Sequence, residues 1–223
     1  MFIEKTSKDK EQFGWIEVIC GSMFSGKTEE LIRRLKRAKI AKQSVGIFKP
    51  IADVRFDSTN VVSHDSNQIK STSVKSASEI LDLSSKCEVV GVDEAQFFDD
   101  GIVEVCNILA NRGIRVIVAG LDMDFKGCPF GPMPNLMATA EYVTKVHAVC
   151  TRTGGLALFS FRKTNDDSLV LLGEVDKYEP LSRSAFYKAT NKEEKNIEIK
   201  NKGLNSEYSP KKIKMAITCL KIS

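Results

Sequence analysis

Gly21-Ser22-Met23-Phe24-Ser25-Gly26-Lys27-Thr28 spells G-x-x-x-x-G-K-S/T, the spacing of a loop that wraps the phosphates of a nucleotide. Each residue type has a physical reason. Glycines let the backbone turn its N–H groups inward as a nest for anionic oxygens. A helix opening near Lys27 adds the positive end of its dipole. The Lys27 ammonium can reach the outer phosphates, and the Thr28 hydroxyl can ligate magnesium. A second acidic element, Asp93-Glu94-Ala95-Gln96, follows the apolar run Val89-Val90-Gly91-Val92. In phosphate-loop folds a magnesium-holding aspartate sits at the end of such a strand. Two carboxylates capping the next helix are the plainer alternative. With Asp93 on the metal, Glu94 is placed to accept a proton from an incoming hydroxyl or to orient a water.

These residues need elements to hold them. Trp15 to Cys20 is a short apolar run ending in glycine and reads as a buried strand. Thr28 to Lys42 has apolar residues at 31, 32, 35, 38 and 41, with Glu29 and Glu30 in the first turn, which predicts a helix. Its basic face, Arg33, Arg34, Lys36, Arg37 and Lys39, reads as a solvated surface. Further strands are predicted over 44–49, 87–92 and 114–119, a helix over 101–111 and a helical turn over 79–83. Residues 52–76 read as an irregular or short-stranded excursion, and 120–135, rich in Gly and Pro, as a loop. Apolar strands alternating with helices predict an α/β fold, a P-loop NTPase parallel sheet flanked by helices. Leu156 to Arg162 and Ser168 to Val175, joined by Asn165-Asp166-Asp167, predict a small β-hairpin subdomain.

The 223 residues carry 33 Lys+Arg and 29 Asp+Glu, a net +4. The excess lies in the tail: residues 188–223 hold nine lysines against four glutamates, +5, leaving −1 for residues 1–187. A nucleic-acid-binding body would be basic, so no nucleic-acid partner is expected. No apolar stretch reaches 18 residues and the N-terminus lacks an apolar export signal, which predicts a cytoplasmic protein. Cys20, Cys87, Cys106, Cys128, Cys150 and Cys219 include no C-x₂-C pair, so idle or buried thiols are expected.

The combination of Met23-Phe24-Ser25-Gly26-Lys27 with Asp93-Glu94-Ala95-Gln96-Phe97-Phe98 resembles the cytosolic thymidine kinases of the small, tetramer-forming P-loop class. Ala119-Gly120-Leu121-Asp122-Met123-Asp124-Phe125, Pro129-Phe130-Gly131 and Lys145-Val146-His147-Ala148-Val149-Cys150 are similar to that family as well, so the likeness spans residues 15 to about 188. The resemblance implies transfer of the ATP γ-phosphoryl to the 5′-hydroxyl of thymidine or deoxyuridine, for nucleotide salvage. Glu94 would be the general base and Lys27 the γ-phosphate contact. Thr28 and Asp93 would hold Mg2+, and Gly21 to Thr28 with Asp93 and Gln96 would bind ATP. Asp53 and Arg55 correspond to a family D-x-R element, with Arg55 stabilising charge on the transferring phosphoryl; a loop salt bridge is the alternative. Met23, Phe97, Leu121, Phe125, Phe130 and Tyr178 would line the base pocket. A homotetramer, and inhibition by the end product dTTP, are implied on the same ground.

The resemblance also exposes a departure. Family members fold a "lasso" subdomain around zinc held by two C-x₂-C pairs. Here the first pair reads Cys150-Thr151-Arg152-Thr153 and the second Ser182-Arg183-Ser184-Ala185. One thiol cannot make a closed zinc site, so no structural zinc is expected. Packing of Leu156, Phe159, Leu171, Leu172, Phe186 and Tyr187 is expected to hold the lasso instead. The predicted organisation is an N-terminal extension (1–14), a P-loop kinase domain (15–149), the lasso (150–188) and a flexible basic tail (189–223). Two other readings compete: a nucleic-acid-dependent ATPase, and a catalytically silent nucleotide-binding regulator.

Overall fold

The computed structural model describes residues 13–51, 60–62, 68–164 and 177–191. These form two compact units. The larger takes in the chain up to Gly21, then Gly26–Asp122 and Phe130–Val146. The smaller takes Ser22–Ser25, Met123–Pro129 and the described residues from His147 onward.

In chain order the larger unit has β1 (Trp15–Gly21), α1 (Lys27–Ile40), β2 (Val45–Pro50), β3 (Asn60–Val62), β4 (Gln68–Lys70), β5 (Thr72–Val74), α2 (Ser78–Leu83) and β6 (Val89–Val92). A 3₁₀ turn (Ala95–Phe97), α3 (Gly101–Asn111), β7 (Arg115–Leu121), α4 (Met133–Thr139) and β8 (Tyr142–Lys145) follow. Six strands make one sheet in the order β5-β2-β6-β7-β1-β8, every pairing parallel. The predicted parallel sheet with flanking helices is therefore present. The strands are apolar on both faces because both faces are covered. On one, Ile19, Ile47, Val89, Ile117 and Ala119 pack on Leu31, Ile32, Leu35 and Ala38 of α1. On the other, Val18, Val90, Val92, Val116 and Val118 pack on α3 through Ile102, Val105 and Leu109, and on α4 through Met133 and Leu136.

The larger unit departs from the sequence expectations in two places and adds a strand that they lack. The loop expected over 120–135 ends early, because α4 starts at Met133 with Pro132 as its cap and Pro134 in its first turn. Proline is compatible with a first turn, whose N–H groups have no helical partner. Strand β8 escapes the apolar patterning because it is an edge strand with alternate residues exposed. Arg34 is not solvated: it is buried on the sheet side of α1.

Its partner is Glu17 of β1, 2% exposed. Arg34 Nη1 lies 2.7 Å from Glu17 Oε2, Arg115 Nε lies 2.7 Å from Oε1, and the Trp15 indole N–H donates to Oε1 at 2.7 Å. Arg34 also donates to Thr144 Oγ1 of β8 at 2.9 Å and to Glu30 at 2.7 Å. Burial pushes the Glu17 carboxyl up, but the hydrogen bonds from Arg115, Trp15 and Arg34 outweigh it and hold it below its ordinary value.

The smaller unit has β9 (Ala148–Val149), β10 (Leu156–Ala157), β11 (Phe159–Arg162), β12 (Tyr178–Leu181) and a helix, α5, over 183–191. β9 pairs antiparallel with β10, and β11 antiparallel with β12. The strand expected over 168–175 lies outside the described residues, as do Leu171, Leu172 and the tail from 192. The core gathers Ala157, Phe159, Phe161, Leu181, Ala185 and Phe186, with Phe159 and Phe186 stacked at 4.3 Å. Leu156 and Tyr187, expected inside, are 69% and 50% exposed, because strand alternation turns Ala157 inward and Leu156 out.

Replacing Glu17 with leucine takes the carboxylate from the buried Arg34 and the half-buried Arg115, and we expect a loss of about 3 kcal/mol of stability, read from urea unfolding. A loss no larger than the ~0.5 kcal/mol of an exposed pair would show that the network contributes little.

Candidate active site

The phosphate loop leaves β1 at Gly21 and enters α1 at Lys27. Phe24 (φ 61°) and Gly26 (φ 82°) are left-handed, the backbone turn that lets successive N–H groups face one point. Gly26 then accepts the first helical bond, from Glu30 N–H at 3.0 Å.

In the larger unit, α1 brings the loop's last residue to the end of β6. Thr28 Oγ1 donates to Asp93 Oδ2 at 3.4 Å. Asp93 is 6% exposed, its N–H is held by the Phe48 carbonyl at 2.9 Å, and its Oδ1 accepts the Glu94 N–H at 2.9 Å. Glu94 sits in the left-handed region (φ 52°, ψ 42°). The Gln96 amide donates to Glu94 Oε2 and accepts the Leu121 N–H at 2.9 Å. Lys27 is half-buried; burial pulls its ammonium below the ordinary value, and the charges of Glu94, Asp93 and Asp122 push back. A hydroxyl and a carboxylate in contact at the loop's exit fit a magnesium ion, whose hard charge takes oxygen ligands.

Of the residues expected around a base, Phe97 and Phe130 meet edge to face at 5.6 Å in the larger unit, and Leu121 is buried at the end of β7. In the smaller unit, Met23 N–H donates to Ser160 Oγ at 2.9 Å. There Ser22 Oγ donates to the Ala157 carbonyl at 3.4 Å, and Ser25 Oγ to the Ser22 carbonyl at 2.7 Å. Arg162 brings Phe125 and Tyr178 together: its guanidinium lies 3.6 Å above the Phe125 ring and donates to Tyr178 Oη at 2.7 Å. Asp53 and Arg55 lie outside the described residues.

A family model described as thymidine kinase matches residues 14–186. The chain belongs to the thymidine kinase family. A thymidine kinase of Bacteroides fragilis is 59% identical over 189 residues, covering 85% of this chain and 95% of that protein. One of Porphyromonas gingivalis is 60% identical over 188 residues, covering 84% and 92%. Another, of a Rhodothermus species, is 60% identical over 173 residues, covering 78% and 81%.

Two residues beside these positions carry no expectation from sequence. One is Arg162, whose signal was a lone arginine closing the apolar run Phe159-Ser160-Phe161. The other is Asp122, which follows β7 as Asp93 follows β6. Asp122 is 6% exposed and Lys145 Nζ of β8 lies 2.7 Å from its Oδ2. Burial, then the Asp122 charge, raise the neighbouring Cys20 thiol to about 11.

At the positions where the family resemblance places zinc ligands stand Cys150, Thr153, Ser182 and Ala185. Thr153 Oγ1 donates to Ser182 Oγ at 3.2 Å, and the turn is closed by Gly154 N–H on the Cys150 carbonyl at 2.8 Å. One thiol, two hydroxyls and a methyl do not fit a tetrahedral zinc site. Hydrogen bonds serve the sulfur instead. Burial opposes its ionisation, but hydrogen bonding with Thr153, Ser182 and the Arg152 backbone brings the Cys150 thiol down to about 6. A folded-state value below the unfolded one adds stability that is full above about 9, the unfolded thiol range, and is lost as pH falls toward 6. Thermal melts of wild type should therefore rise between pH 6 and pH 9, and Cys150→Ser should flatten that rise; identical slopes would remove the thiolate from the unit's stability.

Proposed function

We propose that the protein transfers the γ-phosphoryl of ATP to the 5′-hydroxyl of thymidine, and of deoxyuridine, giving dTMP and ADP for deoxynucleoside salvage. The observation that carries this reading is the Thr28–Asp93–Glu94 grouping at the exit of the phosphate loop, in a chain 59% identical to a protein named thymidine kinase. Glu94 takes the 5′-hydroxyl proton as that oxygen bonds to the γ-phosphorus. The bond from phosphorus to the β–γ bridging oxygen breaks, and ADP leaves with that oxygen's charge. Lys27 holds the γ-phosphate, and Arg55 meets the charge on the moving phosphoryl. Thr28 and Asp93 would hold magnesium, which neutralises phosphate charge when bound.

Gly21 to Gly26 complete the ATP site in this reading, and Gln96, which the resemblance groups with them, serves that site through Glu94 rather than by touching ATP. Asp53 belongs to the substrate site with Arg55 in this reading, while Met23, Phe97, Leu121, Phe125, Phe130 and Tyr178 wall the base. Arg162, clasping two of these rings, adds rigidity to that wall. Inhibition by dTTP, a homotetramer, a cytoplasmic location and the absence of structural zinc belong to the same reading. Among the described residues no helix is long and apolar enough to cross a membrane. One zinc per chain in elemental analysis of purified protein would reject the zinc-free lasso.

Incubation with Mg·ATP and each of four deoxynucleosides should yield the 5′-monophosphate from thymidine. Glu94→Gln should lower kcat by at least ~100-fold with a smaller change in binding. DNA-stimulated ATP hydrolysis without nucleoside phosphorylation would favour a nucleic-acid-dependent ATPase, and nucleotide binding without turnover a silent regulator. The family match ends at residue 186, so deletion of residues 190–223 should leave kcat/KM for thymidine unchanged. A large loss in that assay would give the basic tail a part in the reaction.

A further inference from the structure

We infer that Gln96 is a positioning residue for the Glu94 carboxylate, tying the base to the end of β7 rather than leaving its orientation to a mobile side chain. The inference rests on the kinase reading and deepens it. Gln96 is 3% exposed, in the 3₁₀ turn directly after Glu94. Both ends of its amide are used. The oxygen accepts the Leu121 N–H at 2.9 Å, and the nitrogen donates to Glu94 Oε2. The partners settle which end is which, since a backbone N–H can be met only by the amide oxygen and a carboxylate only by the N–H₂. A flipped amide would face donor with donor and acceptor with acceptor.

The surrounding backbone is bare where Gln96 needs room. A Cβ on Gly120 would come within 2.9 Å of Gln96 Oε1 and 2.5 Å of Met133 Sδ. A Cβ on Gly131, whose φ is +49°, would come within 2.5 Å of the Gln96 carbonyl oxygen. Gly120 of β7 thus lies close against the Gln96 side-chain oxygen, and Gly131, just before α4, close against its backbone carbonyl, so both the side chain and the turn that carries it are confined. An amide so held fixes the plane of the carboxylate that it donates to. Proton transfer depends on that plane, because the acceptor lone pair must point along the O–H bond, and a displacement of about 1 Å can cost on the order of 100-fold in rate.

The test compares wild type, Gln96→Met, Glu94→Gln and the double variant, with Gln96→Glu as a second replacement that keeps the acceptor for Leu121 N–H. Gln96→Met should lower kcat by roughly 30- to 100-fold while KM for thymidine and for Mg·ATP stays near wild type. In the Glu94→Gln background it should cause no further loss, since the two residues act as one unit. A residue that merely supports the fold would lower kcat by the same factor in both backgrounds, and a residue that binds ATP would raise the KM for Mg·ATP; either result overturns the inference. A direct readout needs no turnover. The Gln96 side-chain ¹⁵N–H₂ resonance should be protected from exchange and should move on Glu94→Gln, and a resonance indifferent to that substitution overturns the inference. Failure of wild type to phosphorylate thymidine would strike the kinase reading, while the amide resonance still decides whether Gln96 holds Glu94.

Discussion

Parallel pairing of β6, β7 and β1 in one register is the constraint from which the catalytic arrangement follows. Gly21 pairs with Leu121 and Val92 with Val118, so the three strands end within a few residues of one another. At about 3.3 Å per residue, the phosphate loop, Asp93 and Asp122 emerge on one edge of the sheet. Parallel strands put all their carboxyl ends on the same edge, and ligands of open α/β sheets bind there. Helix α1 then needs only to start at Lys27 to set Thr28 against Asp93.

What holds α1 in that rotation is charge as well as apolar packing. Arg34 follows Lys27 by seven residues, two helical turns, and so lies on the same face. Its ion pair with Glu17 ties that face to β1, while Glu17 also receives Arg115 of β7. Buried ion pairs are a weak source of stability compared with hydrophobic packing, because desolvation offsets most of their attraction. Their use here is directional. Leu31 and Leu35 would pack on the sheet over a range of helix rotations, whereas the Arg34 guanidinium must meet Glu17 of β1 and Thr144 of β8 together.

The features legible in the sequence are those whose cause is local. The phosphate loop, the apolar strand before Asp93 and the 3.6-residue spacing of α1 are written in neighbouring residues, and all three are present. Arg34 looks solvated in the sequence because its helix offers five basic residues in seven positions and only contacts with residues 17 and 144 single one out. Edge strand β8 lacks the doubly apolar run that marked the central strands. The start of α4 was masked by prolines that suit a first turn as well as a loop. Arg162 depends on Phe125 and Tyr178, which chain order does not bring near it. For Arg34 and Arg162 the deciding partner lies far along the chain, so no window of residues contains the signal.

The turn after β6 shows how such distant partners serve one carboxylate. A non-glycine residue in the left-handed region costs on the order of 1 kcal/mol, so Glu94 holds φ 52° only because its surroundings impose it. Asp93 Oδ1 takes the Glu94 N–H, and the turn that follows carries Gln96 back onto the Glu94 side chain. An extended Glu94 would continue the direction of β6 and separate the two carboxylates along the strand. The left-handed turn instead reverses the chain within one residue, which lets one carboxylate remain with Thr28 while the next is held from β7 through Gln96. Two acidic groups adjacent in sequence are thereby given different partners and so different electrostatic environments.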